Sequence, residues 1–158
     1  AEQLVLLIRS RLGLLKSDVL VDAYAGVGTF AALLAPYVDR VVAVEESDAA
    51  VLDAEYNTSG LNNLEFSRGK TEDILSTLTI PDVVVLDPPR IGCQPQVLEV
   101  MIQWSPRRIV YVACDPGAMA RDLNILVQGG FCVESIEPID MFPQTYHVEC
   151  VATLTSRQ

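Results

Sequence analysis

Five times along this chain, a run of apolar, often β-branched residues gives way to a stretch with helical spacing. The apolar runs are 18–24 (DVLVDAY), 40–45 (RVVAVE), 64–68 (LEFSR), 82–87 (DVVVLD) and 107–113 (RRIVYVA). The helical stretches that follow them are 29–38, 47–60, 71–78, 94–104 and 116–130, and a further helical pattern opens the chain at 2–13. Near-continuous apolar strands are buried on both faces, and strand–helix alternation stacks such strands in parallel with helices on either side. Two further strands, near 131–137 and 145–154, have no helix between them. The pattern predicts an α/β doubly wound, mostly parallel seven-stranded sheet with an antiparallel C-terminal edge. Ser47 should cap its helix and Gly60 stop it, and Gly129 and Gly130 should end the last helix.

A chain of 158 residues, half of them hydrophobic and a fifth charged, makes one domain with a proper core. It shows no membrane-spanning apolar run and no signal peptide, so no membrane partner is expected. The four cysteines, Cys93, Cys114, Cys132 and Cys150, form no C-x-x-C pair and no metal-ligand spacing. No metal is therefore expected, and a reducing cytoplasm is the simplest location. The net charge of −10 makes the chain by itself a poor binder of nucleic acid.

In a doubly wound sheet, ligands sit beyond the carboxyl ends of the strands. The first strand ends in DAYAGVGTFA, in which Gly26, Gly28 and Ala31 fit G-x-G-x-x-A, and Glu45 ends the second at a distance suited to a ribose hydroxyl. Nicotinamide, flavin and adenosyl cofactors share that pattern, but the acids separate them. Asp22, Glu45 and Asp87 end three strands expected to be neighbours. An anionic pyrophosphate is repelled there, whereas the sulfonium and ammonium of S-adenosylmethionine are attracted. Opposite charges at about 4 Å gain on the order of 4 kcal/mol at intermediate dielectric. The competing reading makes these acids helix caps or solvated strand ends. The stretch 87–90 (DPPR) follows the fourth strand. Its paired prolines set a rigid extended turn that can aim Asp87 and backbone carbonyls at a flat substrate, though Pro-Pro also marks ordinary turns.

Cys114 ends the fifth strand, with Asp115 as an expected N-cap and Pro116 at the first helical position. A thiol beside a helix amino terminus has its thiolate stabilised by the positive end of the dipole. The other three cysteines read as packing residues. In the final strand, alternation puts Thr145, His147 and Glu149 on one face and Tyr146, Val148 and Cys150 on the other. Burial of Glu149 in an apolar strand would make it a working base. A cationic methyl donor, a thiol and a carboxylate together suit methylation at C5 of a pyrimidine, where the thiol adds at C6 to activate C5.

The motifs DAYAGVGTF, DPPRIG, IVYVACDPGAMARDL and DMFPQTYHVE, in this order, resemble the catalytic domain of the RNA uridine-C5 methyltransferases over nearly the whole chain. The resemblance implies a Rossmann-like class I methyltransferase fold acting on tRNA or ribosomal RNA with S-adenosylmethionine. It implies Cys114 as nucleophile and Glu149 as base. Tyr24, Thr29, Glu45, Lys70 and Asp87 would line the cofactor together with Asp22, Gly26 and Gly28, while Asp87, Pro88, Arg90 and His147 would meet the substrate. Ala25 stands where the family usually has Cys, and Ala113 where it has Ser. Family members carry an RNA-binding β-barrel, a central domain and a cofactor-contacting glutamine before this region. The resemblance thus implies that residues 1–158 are the catalytic part of a longer protein whose basic surface lies elsewhere. Other readings remain open: amino-group or cytosine-C5 methylation, or a cofactor-binding module inactive by itself. The cytosine-C5 enzymes' Pro-Cys-Gln motif is absent from the sequence.

Overall fold

A computed structural model describes residues 2–139 and 149–157 of the chain. Its seven strands are β1 (Val19–Ala23), β2 (Arg40–Glu45), β3 (Leu64–Arg68), β4 (Val83–Leu86), β5 (Arg108–Ala113), β6 (Phe131–Ile139) and β7 (Glu149–Ser156). They form one sheet in the order β3-β2-β1-β4-β5-β7-β6. The first five pair in parallel, and β7 pairs antiparallel with both β5 and β6. The strand order reverses between β1 and β4, the place where doubly wound sheets open a crevice.

Alternation along the apolar strands feeds two cores. Val84 and Leu86 of β4 face one layer, and Val83 and Val85 face the other. The first layer is covered by α5 (Pro95–Trp104) and α6 (Pro116–Gln128), through Val97, Leu98, Met101, Met119, Leu123 and Leu126. The second is covered by α1 (Glu2–Leu12) and α2 (Thr29–Leu34), through Leu4, Ile8, Leu12, Ala31 and Leu34. Each Val or Leu taken fully out of water in this way contributes roughly 1.5–3 kcal/mol.

Local chemistry sets the helix ends. The Ser47 hydroxyl accepts from Ala50 N at 3.3 Å and opens α3 (Asp48–Asn57). That helix stops earlier than Gly60: Thr58 leaves the helical backbone as its C-cap, with both its N–H and its hydroxyl donating to the Ala54 carbonyl, the hydroxyl at 2.7 Å. The expected helix over 29–38 is also shorter. Pro36 lacks the N–H needed to continue α2, and a 3₁₀ turn follows at Ala35–Tyr37. Likewise α4 (Thr71–Ile74) tightens into a 3₁₀ turn at Leu75–Thr77. Gly129 closes α6 as expected. Within the strand expected near 145–154, β7 runs from Glu149 to Ser156, and residues 145–148 lie outside the described residues. The longest helix among the described residues is too short to cross a membrane.

Candidate active site

The glycine turn after β1 is built by Glu45. Its Oε2 accepts from Gly26 N and its Oε1 from Ser47 N, both at 2.8 Å, so one carboxylate ties the turn to the end of β2. Gly28 opens α2 at φ 77, and a Cβ there would meet the Phe66 ring at 3.0 Å and Ala54 Cβ at 3.3 Å. Glycine is therefore required by close packing as well as by backbone angle. Tyr24 sits at φ 67, a left-handed conformation rare for a bulky residue, and its buried hydroxyl has no hydrogen-bond partner among the described residues. Strain of this kind costs on the order of 1–3 kcal/mol and gathers at functional sites.

A cavity of about 460 Å³ opens beyond the carboxyl ends of β1, β2 and β4. One side is lined by Tyr24, Glu45, Glu46, Lys70, Thr71 and Glu72, and the other by Asp87, Pro88, Pro89, Ile91, Gly92 and Gln94. Tyr24 and Asp87 form the wall it shares with a second cavity of about 290 Å³, whose lining includes Gly26, Thr29 and Phe30. Burial, followed by the nearby charge of Glu149, pushes Asp87 up to about 6. With four carboxylates and one lysine on the walls of the larger cavity, the donor set suits a cationic ligand with hydroxyls and disfavours a pyrophosphate.

Asp22 is corrected by the structure. It has no exposed surface and lines neither cavity. Its Oδ2 accepts from Ala31 N at 2.9 Å, in the first turn of α2, and its Oδ1 is buried without a partner among the described residues. Burial pushes it up to about 7. The residue supports the turn from beneath instead of facing a ligand.

At the next strand end, the Asp115 carboxylate accepts from Ala118 N at 2.8 Å and caps α6, with Pro116 at the first helical position. Cys114, half-buried, sits between β5 and this cap. Ala113 lies opposite Cys150 in the β5–β7 register. Cys114 is the residue just beyond Ala113 and Glu149 the one just before Cys150, so both stand at the same end of this strand pair. The structure thus brings Asp87, Cys114 and Glu149 to one end of the sheet. Pro88 is buried in the cavity wall, whereas Arg90 is exposed and lines neither cavity. His147 lies outside the described residues.

One buried group at this site belongs to none of the motifs that mark the site in the sequence. Asp122 of α6 is fully buried. Its Oδ2 accepts from Cys93 N at 2.7 Å and from the Tyr111 hydroxyl at 2.6 Å. In the sequence it stands beside Arg121 in a helix and looks like part of a solvated face. The apolar spacing of Met119, Leu123 and Leu126 was the available hint that position 122 turns inward.

These features agree with comparisons to known proteins. An RNA methyltransferase of Oceanobacillus iheyensis, itself named uncharacterized, is 47% identical over 146 residues, covering 89% of this chain and 32% of its own. One from Synechocystis, named in the same way, is 42% identical over 158 residues, covering 98% of this chain and 34% of its own. The chain spans about a third of the length of these curated relatives. The crystal structure of a Pyrococcus abyssi tRNA (uracil-54, C5)-methyltransferase in complex with S-adenosyl-L-homocysteine superposes with a TM-score of 0.82 at 33% identity, over 97% of this chain and 38% of that one. A family model described as tRNA (Uracil-5-)-methyltransferase matches residues 61–157, which take in the proline turn, Cys114 and Glu149. By that match, over more than half its length, the chain belongs to the tRNA (uracil-5-)-methyltransferase family.

Proposed function

We propose that this domain methylates C5 of a uridine in tRNA or ribosomal RNA with S-adenosylmethionine, using Cys114 as nucleophile and Glu149 as base. The observation that carries the reading is the meeting of Cys114, Glu149 and Asp87 at one end of the sheet, beside a cavity walled by acids. That cavity fits the cofactor: Glu45 offers acceptors to ribose hydroxyls, Tyr24, Lys70 and Asp87 line the walls beside it, Gly26 and Thr29 line the adjoining cavity, and Gly28 shapes the turn by packing on Phe66. Asp22 acts from below by fixing α2.

C5 of uracil is too weak a nucleophile by itself. The Cys114 thiolate adds to C6, the C5–C6 π electrons move to C5 and into the adjacent carbonyl, and C5 becomes enolate-like. When bound, S-adenosylmethionine would supply the electrophilic methyl group that C5 takes, the S–CH3 electron pair staying with the departing S-adenosylhomocysteine. Glu149 then accepts the C5 proton, the C–H electrons re-form C5=C6, and the thiolate leaves. For the thiol to approach C6 from one face, the base must be unpaired or flipped out of its stack.

Two variants separate the steps. Cys114→Ala is expected to form no bond to RNA. Glu149→Gln is expected to add and methylate but to retain its C5 proton, so it accumulates a methylated protein–RNA adduct that survives denaturation. Normal turnover by Glu149→Gln without adduct would remove its role as base. The net charge of −10 favours a second reading, a cofactor-binding module that needs a basic partner segment. Cofactor binding without any RNA adduct supports that reading.

A further inference from the structure

We propose that Asp122 is a positioning residue that holds the proline turn in register with the nucleophile, a role that rests on the uridine-C5 reading. The turn carries Asp87, Pro88 and Pro89 into the cavity and returns through Cys93. Cys114 follows β5, which carries Tyr111, and precedes α6, which carries Asp122. One buried carboxylate therefore touches all three elements. Its Oδ2 takes the Cys93 N–H from the turn and the Tyr111 O–H from the strand. Its Oδ1 takes two N–H bonds from Arg121, Nε at 2.9 Å and Nη2 at 2.7 Å. The same Nη2 donates to the Ile91 carbonyl at 2.8 Å, a second tether on the turn.

The carboxylate's four acceptor positions are thereby filled, so no uncompensated charge is buried there. Gly92 supplies independent support. It adopts φ 87, and a Cβ at that position would lie 2.4 Å from Arg121 Nη2 and 2.6 Å from Asp122 Oδ2. The turn approaches Asp122 this closely because residue 92 has no side chain. Cys93 belongs to the same cluster, its sulfur 3.8 Å from the Tyr111 hydroxyl. Burial first, and then the Asp122 charge, push its thiol up to about 12, so it stays protonated. Asp122 touches no reacting atom. It acts through the turn, by fixing where Asp87 stands relative to Cys114.

Two substitutions loosen this tie by different routes. Asp122→Asn keeps the size but turns one acceptor into a donor. Gly92→Ala leaves Asp122 in place and pushes the turn away. In both, hydrogen exchange is expected to quicken about tenfold or more at the Gly92 and Cys93 amides, while the β1 and β2 amides stay as slow as in wild type. With RNA containing 5-fluorouridine and S-adenosylmethionine, the saturating rate of adduct formation is expected to fall about 10- to 100-fold. The RNA concentration giving half that rate should change by less than about threefold, because no binding contact has been removed. Unchanged exchange at Gly92 and Cys93 overturns the tether. Faster exchange with an unchanged adduct rate overturns the positioning role. A wild-type chain that forms no adduct contradicts the uridine-C5 reading itself and this role with it, whereas wild-type adduct formed equally fast in both variants overturns the role alone.

Discussion

Asp22 and Glu45 both lie near the carboxyl ends of adjacent strands and meet different fates. Glu45 keeps an open edge toward the cavity while both its oxygens hold backbone N–H groups. Its truncation therefore loosens the glycine turn and, on the proposed cofactor role, removes ribose acceptors as well. Calorimetry on Glu45→Ala should show S-adenosylhomocysteine binding weaker by about 1–3 kcal/mol, and unchanged affinity would separate Glu45 from the cofactor. Asp22 is sealed in, one oxygen bonded and one orphaned. Burial raises its folded-state value from 3.8 to about 7, so the folded protein holds this proton more tightly than the unfolded chain does. That contribution is complete below pH 3.8 and is lost as pH rises through about 7. Asn at position 22 has no proton to lose. Urea unfolding at pH 5 and pH 8 should therefore show wild type losing about 2–3 kcal/mol relative to Asp22→Asn. A parallel pH dependence in the two proteins would place the charge elsewhere.

At the scale of elements, α6 does two jobs: it packs the core with Met119, Leu123 and Leu126, and it presents Cys114 at its amino end. The Asp115 cap serves the second job. Asp115→Ala should lower the unfolding free energy by about 1 kcal/mol in urea titrations, and a change below a few tenths would mean that the cap is dispensable. This cap was legible in the sequence, as were the strands, because an acid followed by proline and unbroken valine runs admit few other structures. The insertion of β7 between β5 and β6 was not. Its apolar pattern fits a central or an edge position equally well, and pairing on two sides is decided by packing that no local spacing records. Asp22 was misplaced for a related reason. Strand alternation says which face a residue takes, and not whether a helix lies over it, as α2 does here. Asp122 escaped notice because a carboxylate beside an arginine in a helix reads as solvated until its partners, distant in sequence, are brought to it by the fold.

Across the whole molecule, the acids of the sheet end and the net charge of −10 pull in different directions. Acids there attract cations and repel an RNA backbone, so the proposed uridine target would have to be delivered to this edge by contacts of another kind. The chain spans about a third of its curated relatives' length, which leaves room in those proteins for such contacts. What the domain itself brings to this end of the sheet is the Cys114 thiol beyond β5 and the Glu149 carboxylate at the start of β7, with Asp87 of the acidic cavity near Glu149. The most direct test of that arrangement is to incubate the protein with S-adenosylmethionine and single-stranded RNA containing 5-fluorouridine, then digest it and map the modified peptide by mass spectrometry. Fluorine at C5 removes the proton that Glu149 would take, so the adduct cannot resolve. The expected result is a methylated 5-fluorouridine linked to Cys114 and no adduct in Cys114→Ala. A linkage to another cysteine, or methyl transfer to uridine at a near-normal rate by Cys114→Ala, would contradict the account.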